Sequence, residues 1–241
     1  MSAKATKTSR LRSAHSSTVS FEVLGHQLQF FQDPSLKHLG ATVWDASVVL
    51  VKFLERDSRF SPSELRGKRV IELGAGCGVA GFGMAFLGCD VVSTDVAEIL
   101  LLLMKNMELN PSTIMQSTAS EVAELDWGNE NQMKAIGGGL RFDYIIETDV
   151  VYEEHQFEPL LQTIIKLSGP ETTVLLGYEI RSTNLHEKML EMWKRNFEVQ
   201  AVPKEEMDGT YQHPSIQIYI MCSKKQANAS EIGVNQDDVN N

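Results

Sequence analysis

Apolar positions along the chain change their spacing several times, and each change predicts an element. Val19, Phe21 and Val23 alternate with polar residues, Gly25 interrupts, and Leu28 and Phe30 alternate again, which predicts a hairpin. Between 44 and 56 the period lengthens. Trp44, Val48, Val51 and Leu54 fall at helical spacing, and Val49, Leu50 and Phe53 widen the apolar face. After Gly67 short apolar runs alternate with helical ones. The pattern predicts strands over 69–73, 90–94, 142–147 and 172–178, with a further strand region before Leu125. Helices are expected over 79–87, 97–109, 155–167 and 182–196, the second stopped by Asn110-Pro111. Strands at 197–202 and 216–222 follow each other without an intervening helix. Strands separated by helices imply an α/β fold, a doubly wound and mostly parallel sheet. The last two strands imply antiparallel pairing at one edge.

Both ends read as tails. Residues 1–18 are rich in Ser, Thr and Lys, and 224–241 are polar and aperiodic. One domain over 19–223 is therefore expected. The acid-poor start, which contains Arg and Ser, also fits an organelle transit peptide.

Composition narrows the function. There are 32 acidic and 22 basic residues, a net charge of −10. Residues 1–21 hold four basic residues and no acid, and 224–241 hold two lysines and three acids, so 22–223 carries −13. Such a body is a poor partner for a polyanion, since phosphate recognition rests on clustered Lys and Arg. The longest apolar run, Ile99 to Met104, has six residues, against about 20 for a membrane span. Neither nucleic acid nor membrane is an expected partner. Three cysteines, Cys77, Cys89 and Cys222, have no metal-ligand spacing, and a reduced, cytoplasmic protein is expected. The nucleus is the second compartment to consider.

The segment Val70-Ile71-Glu72-Leu73-Gly74-Ala75-Gly76-Cys77-Gly78 carries the chemistry. A strand running into glycines and then a helix lets backbone approach a ligand closely. Two ligands fit. Gly76 to Gly81 matches G-x-G-x-x-G, and Asp95 lies where a ribose-binding acid belongs, so an NAD(P)-dependent oxidoreductase is one reading. The glycines begin directly after Leu73, however, which puts Val79 where a dinucleotide fingerprint wants its third glycine. Glu72 would repel a pyrophosphate but could meet the amine of S-adenosylmethionine. Two further segments fit that second ligand. Asp126 could accept from an adenine amine, and the Trp127 indole could cover the ring face. Glu147, Asp149, Glu153 and Glu154 make the loop after the fourth strand acidic. Glu153 and Glu154 are explained by a helix start; Asp149 is not.

Together these residues resemble the seven-β-strand, Rossmann-like methyltransferases, and among them methyltransferase family 16, the protein-lysine methyltransferases. The resemblance spans 19–222. It rests on Val43-Trp44-Asp45-Ala46 with Leu50, on Glu72 to Gly78, on Asp95, on Asp126-Trp127, and on the D-x-x-Y element Asp149-Val150-Val151-Tyr152. It implies a seven-stranded sheet and S-adenosylmethionine contacts at Trp44, Gly74, Ala75, Gly76, Gly78, Asp95, Trp127 and Thr148. It also implies a lysine channel at Asp149 and Tyr152, with Asp149 capturing the ammonium and Tyr152 forming an aromatic wall. Residues 160–163, 167–169 and 177–181 are similar to the member that modifies valosin-containing protein, so an AAA ATPase or another chaperone is the implied protein substrate, acted on by a monomer. Thr148 departs from the family, which favours Ala there, and so do the tails. A non-catalytic chaperone-binding adaptor and a small-molecule methyltransferase are the remaining alternatives.

Overall fold

Arg69–Leu73 (β3) and Phe142–Thr148 (β6) are the central strands, and both faces of the sheet around them are covered. That is why they read as continuous apolar runs rather than alternating ones. The structure, a computed structural model, describes residues 16–110, 120–137 and 141–224. The expected tails lie outside the described residues apart from 16–18 and Lys224. Thr18 already belongs to the first strand.

Strands Asp90–Asp95 (β4) and Ser120–Glu124 (β5) extend the sheet on one side of β3. Ser168–Glu179 (β7), Ile216–Ser223 (β9) and Phe197–Ala201 (β8) extend it beyond β6, giving the order β5-β4-β3-β6-β7-β9-β8. The five strands from β5 to β7 pair in parallel. Strand β9 runs antiparallel to both β7 and β8, so the antiparallel pairing lies at this edge. A separate hairpin joins Thr18–Val23 (β1) and His26–Phe31 (β2), with Val23 opposite His26 and Gly25 at φ 79° in the turn. This is the seven-stranded, mostly parallel sheet with an N-terminal hairpin that the sequence implies.

Two apolar layers sandwich the sheet. On one face pack the hairpin, Asp45–Arg56 (α1), Pro62–Leu65 (α2), Val79–Phe86 (α3) and Ala97–Leu109 (α4). On the other pack Glu130–Gly137 (α5), Phe157–Leu167 (α6) and Thr183–Trp193 (α7). The 3₁₀ turn Glu154–Gln156 occupies the start of the helix expected from 155.

The hairpin is held by two amides. Asn106 accepts from the Phe31 N–H (2.7 Å) and donates to the Phe31 carbonyl (3.0 Å), as a neighbouring strand would. One turn along α4, Asn110 does the same for Gln29. Asn106 also donates to the Cys77 carbonyl (2.9 Å), which ties the hairpin to the glycine loop. Both side chains are buried, and each meets backbone groups that would otherwise lack partners.

Candidate active site

At the carboxyl end of β3 the chain turns through Gly74 and Gly76, at φ 66° and 56°. A Cβ on Gly74 would sit 2.9 Å from Val150 Cγ1 and 3.1 Å from Trp127 Cζ2. One on Gly76 would lie 2.9 Å from the Gly40 carbonyl oxygen. Only glycine satisfies both the dihedrals and the space. Asp95, at the end of β4, latches this loop: its carboxylate accepts from the Gly76 N–H (2.7 Å) and from the Val96 N–H (2.8 Å). Burial holds the Asp95 carboxyl above its ordinary range, and those two N–H groups pull it the other way.

A cleft of about 310 Å³ opens over this loop, at the carboxyl ends of the parallel strands. Trp44, Gly74, Ala75, Gly76 and Asp95 line it. So do Asp126, Trp127, Thr148, Asp149 and Tyr152. Five separate segments of the chain thereby bring ten of the twelve expected residues together. Trp44 is the residue before α1, its indole N–H held by the Leu39 carbonyl (2.8 Å).

Glu72 and Gly78 are placed elsewhere. Glu72 does not line the cleft. On β3 it points to the α3 face, 1% exposed, and accepts from the Ser93 hydroxyl (2.7 Å). It fills the space that the missing Cβ of Gly81 leaves beneath α3; that Cβ would lie 2.3 Å from Oε2. Burial pushes its pKa up to about 7. The expectation that it meets a ligand amine is corrected: residues two apart on a strand share a face, and this one shares Val70's. Gly78, at φ 85°, precedes α3, and a Cβ there would strike Phe82 and Leu103 at 2.6 Å, so it serves helix packing.

Asp149 adopts φ 57°, an uncommon conformation for a residue with a side chain. Its N–H donates to the Gly177 carbonyl (2.9 Å). Oδ1 accepts from the Glu179 N–H (3.0 Å) and from Arg181 Nη1 (2.9 Å), and Oδ2 accepts from Arg181 Nη2 (3.0 Å). Only 3% of the carboxylate side chain is exposed. Tyr152 is half-buried, and burial raises its hydroxyl pKa. Cys77 also lines the cleft, but burial pushes its thiol up to about 12, so it is no nucleophile at neutral pH.

Sequence reasoning missed His38, Leu39 and Gly40, whose 3₁₀ turn roofs the glycine loop, and also His155 and Gln156. It quoted Arg181 without giving it a role. None of these carries a local signal.

The model of the lysine methyltransferase family, Methyltransf_16, matches residues 23–196. The chain belongs to that family. It is 39% identical over 192 residues to the protein N-lysine methyltransferase METTL21A of Danio rerio, covering 80% of this chain and 84% of that one. The Mus musculus METTL21A is 36% identical over the same shares. Among solved structures, the Thermus thermophilus 16S rRNA N2 G1207 methyltransferase RsmC, in complex with AdoMet and guanosine, superposes with a TM-score of 0.59. Its identity is 20%, over 86% of this chain and 50% of that chain, a likeness of fold. The reaction class is therefore S-adenosylmethionine-dependent methylation of protein lysine, and the oxidoreductase reading falls away. The cleft suits that cofactor: the space over Gly74 and Gly76 admits close backbone approach, and two indoles and the Asp95 and Asp126 carboxylates face it.

Proposed function

We propose that this cleft is the active site of a protein-lysine N-methyltransferase, in which one end holds S-adenosylmethionine and the other receives the lysine. Asp95 takes the ribose hydroxyls, Trp127 covers the adenine with Asp126 at its amine, and Trp44 with the Gly74–Gly76 backbone and Thr148 encloses the rest. Asp149 and Tyr152 face the incoming lysine, Asp149 by hydrogen bonding and Tyr152 as a wall for the alkyl amine and its methyl groups. The observation that carries the reading is the convergence of Asp149, Tyr152, Asp95 and the glycine loop on one cleft.

The cofactor supplies the reactive methyl; the chain supplies alignment, which is worth several kcal/mol in such a displacement. The lysine must give up a proton first. At pH 7.4 that costs about 4 kcal/mol from a reference pKa near 10.4.

For the substrate we favour a chaperone, and among chaperones an AAA ATPase, on the likeness of 160–163, 167–169 and 177–181 to the member acting on valosin-containing protein. The enzyme works in the cytoplasm as a monomer in this reading. The test is transfer of tritiated methyl from S-adenosylmethionine to cell lysate and to a purified AAA ATPase. Wild type should label a protein band and Asp149→Ala should lose at least ten-fold of that labelling. Equal labelling by both sinks the role given to Asp149, and no labelling by wild type revives the adaptor. Labelling of lysate proteins other than the ATPase refutes the substrate alone.

A further inference from the structure

The Asp149 carboxylate, the expected ammonium receptor, already has a cation on it. Arg181 grips both oxygens with two nitrogens, at 2.9 and 3.0 Å, and its Nη2 also pairs with Glu179 (2.8 Å). The same guanidinium lies over the Trp44 ring, 5.0 Å from its centroid. Arg181 thus sits on an anion and an aromatic face, the two groups that would recognise a lysine ammonium. The placement is built from both sides. The Glu179 N–H fixes Oδ1, and the Asp149 N–H is fixed on Gly177, so β7 and the loop after β6 hold the carboxylate between them.

Counting acceptors tells what such a carboxylate can still do. Its two oxygens offer about four lone-pair sites. Three are taken, two on Oδ1 and one on Oδ2. One site on Oδ2 remains, on a residue that lines the cleft. A neutral amine needs a single acceptor for one N–H and keeps its lone pair for the methyl group. An ammonium would have to share the carboxylate with the guanidinium that already holds both of its oxygens, and its three N–H groups would meet one vacant acceptor site.

Resting on the reading of Asp149 as the group that meets the lysine, we propose that Arg181 is a positioning residue that makes this site select the neutral amine over the ammonium. It holds Asp149 in place as a one-site acceptor and offsets its charge, which it shares with that of Glu179. The lysine is then stripped of its proton to water on entry, with no base required at Asp149.

Other titratable groups face this end of the cleft and are common to wild type and variants. They are Tyr152 and His155 on the loop, Glu179 on β7 paired with Arg181, and Tyr178 and His186, which line the smaller cavity beside Arg181. Asp95, Asp126 and His38 lie across the cleft. Glu147, two residues before Asp149, titrates with a pKa of about 8, and cancels in any ratio between proteins that both carry it.

The experiment measures binding of n-butylamine, a lysine side-chain surrogate, to the full chain saturated with S-adenosylhomocysteine. The readout is fluorescence of Trp44 and Trp127 between pH 7.5 and 9.5, above the ordinary histidine range. The neutral fraction of such an amine rises about ten-fold per pH unit below its pKa near 10.4. In wild type the affinity for total amine should therefore rise about 100-fold across the window. In Arg181→Met, with Asp149 and Glu179 uncompensated, the rise should fall below ten-fold, because the ammonium then binds as well. Arg181→Lys keeps the charge and should restore a steep profile, a rescue that a merely structural role does not predict. The proposal is overturned by a wild-type rise below ten-fold, by equal steepness in wild type and Arg181→Met, or by no amine binding to the saturated wild type. If Arg181→Met does not fold, a flat profile in Arg181→Lys decides against it and a steep one for it. Failure of S-adenosylhomocysteine to bind wild type instead refutes the cofactor cleft itself.

Discussion

Glu147→Gln should make the protein more stable, and increasingly so as the pH rises. Glu147 sits in β6 between Leu73 of β3 and Leu176 of β7, its register partners, and is 0% exposed. Among the described residues neither carboxylate oxygen has a hydrogen-bond partner. Burial alone pushes its pKa from the ordinary 4.5 up to about 8. A raised folded-state pKa means that the folded chain binds the proton more tightly than the unfolded one. The contribution is fully present below pH 4.5, is lost as pH rises toward 8, and stays lost above it. The slope is about 1.4 kcal/mol per pH unit, so between pH 5.5 and 8 the wild type loses roughly 3 kcal/mol that the glutamine variant keeps. For a domain of this size that is on the order of 6–12 °C in Tm. Urea unfolding followed by circular dichroism at pH 5.5, 7 and 8.5 measures the gap directly. Glu72, with its pKa near 7, acts in the same direction but is present in both proteins. A gap that does not widen with pH would refute the assignment of the titration to Glu147. A variant less stable than wild type at pH 8.5 would show that the native carboxylate is ionised and well partnered.

Gly81→Ala should cost about 1–3 kcal/mol, because its Cβ falls 2.3 Å from both Glu72 Oε2 and Ser93 Oγ, two buried side chains bonded to each other, and thermal unfolding reads this. Asp95→Ala should fold yet lose at least ten-fold in S-adenosylhomocysteine affinity by calorimetry, since the Gly76 N–H loses its 2.7 Å acceptor and the loop its latch. Asn106→Ala should cost about 2–3 kcal/mol in urea unfolding, through backbone groups of Phe31 left without partners. Cys77→Ser should retain methyl transfer within about two-fold, as a thiol held near 12 takes no part in it.

What could be read from the sequence was whatever repeats locally. Strands β3 and β6 announce themselves because a parallel sheet is buried on both faces, and the glycine loop because Gly74 and Gly76 need positive φ in consecutive turns. Tyr152 and Asp149 could be placed through the D-x-x-Y spacing. Glu72 was placed on the wrong side, because nearness to the glycines along the chain was weighed above the side-chain alternation that turns it under α3. Asn106 carries no local signal, and Asn110 reads only as the helix stop before Pro111. Their partners, Phe31 and Gln29, lie 75 and 81 residues away and are brought there only by the packed hairpin. Arg181 is hidden for the same reason, its grip on Asp149 spanning 32 residues.

The charge of the body deserves the same scrutiny, because a total says nothing about which charges are free. The end of β6 and the loop after it carry four acids within eight residues, and a cationic substrate is the natural counterpart of −13. Yet Asp149 is paired with Arg181, which also holds Glu179, and Glu154 pairs with Lys188 at 2.8 Å. Glu147 is buried with a pKa near 8, so it is largely protonated at neutral pH. Much of the acidic charge beside the proposed lysine channel is thus paired with Arg181 and Lys188 or buried, and surface attraction gives it a reduced hold on an approaching ammonium. Recognition of the lysine then rests on the neutral amine at the Oδ2 site and on the aromatic wall of Tyr152. Raising salt from 50 to 300 mM should accordingly change methyl-transfer kcat/KM less than three-fold, whereas a steep decline would return the dominant role to free acidic charge.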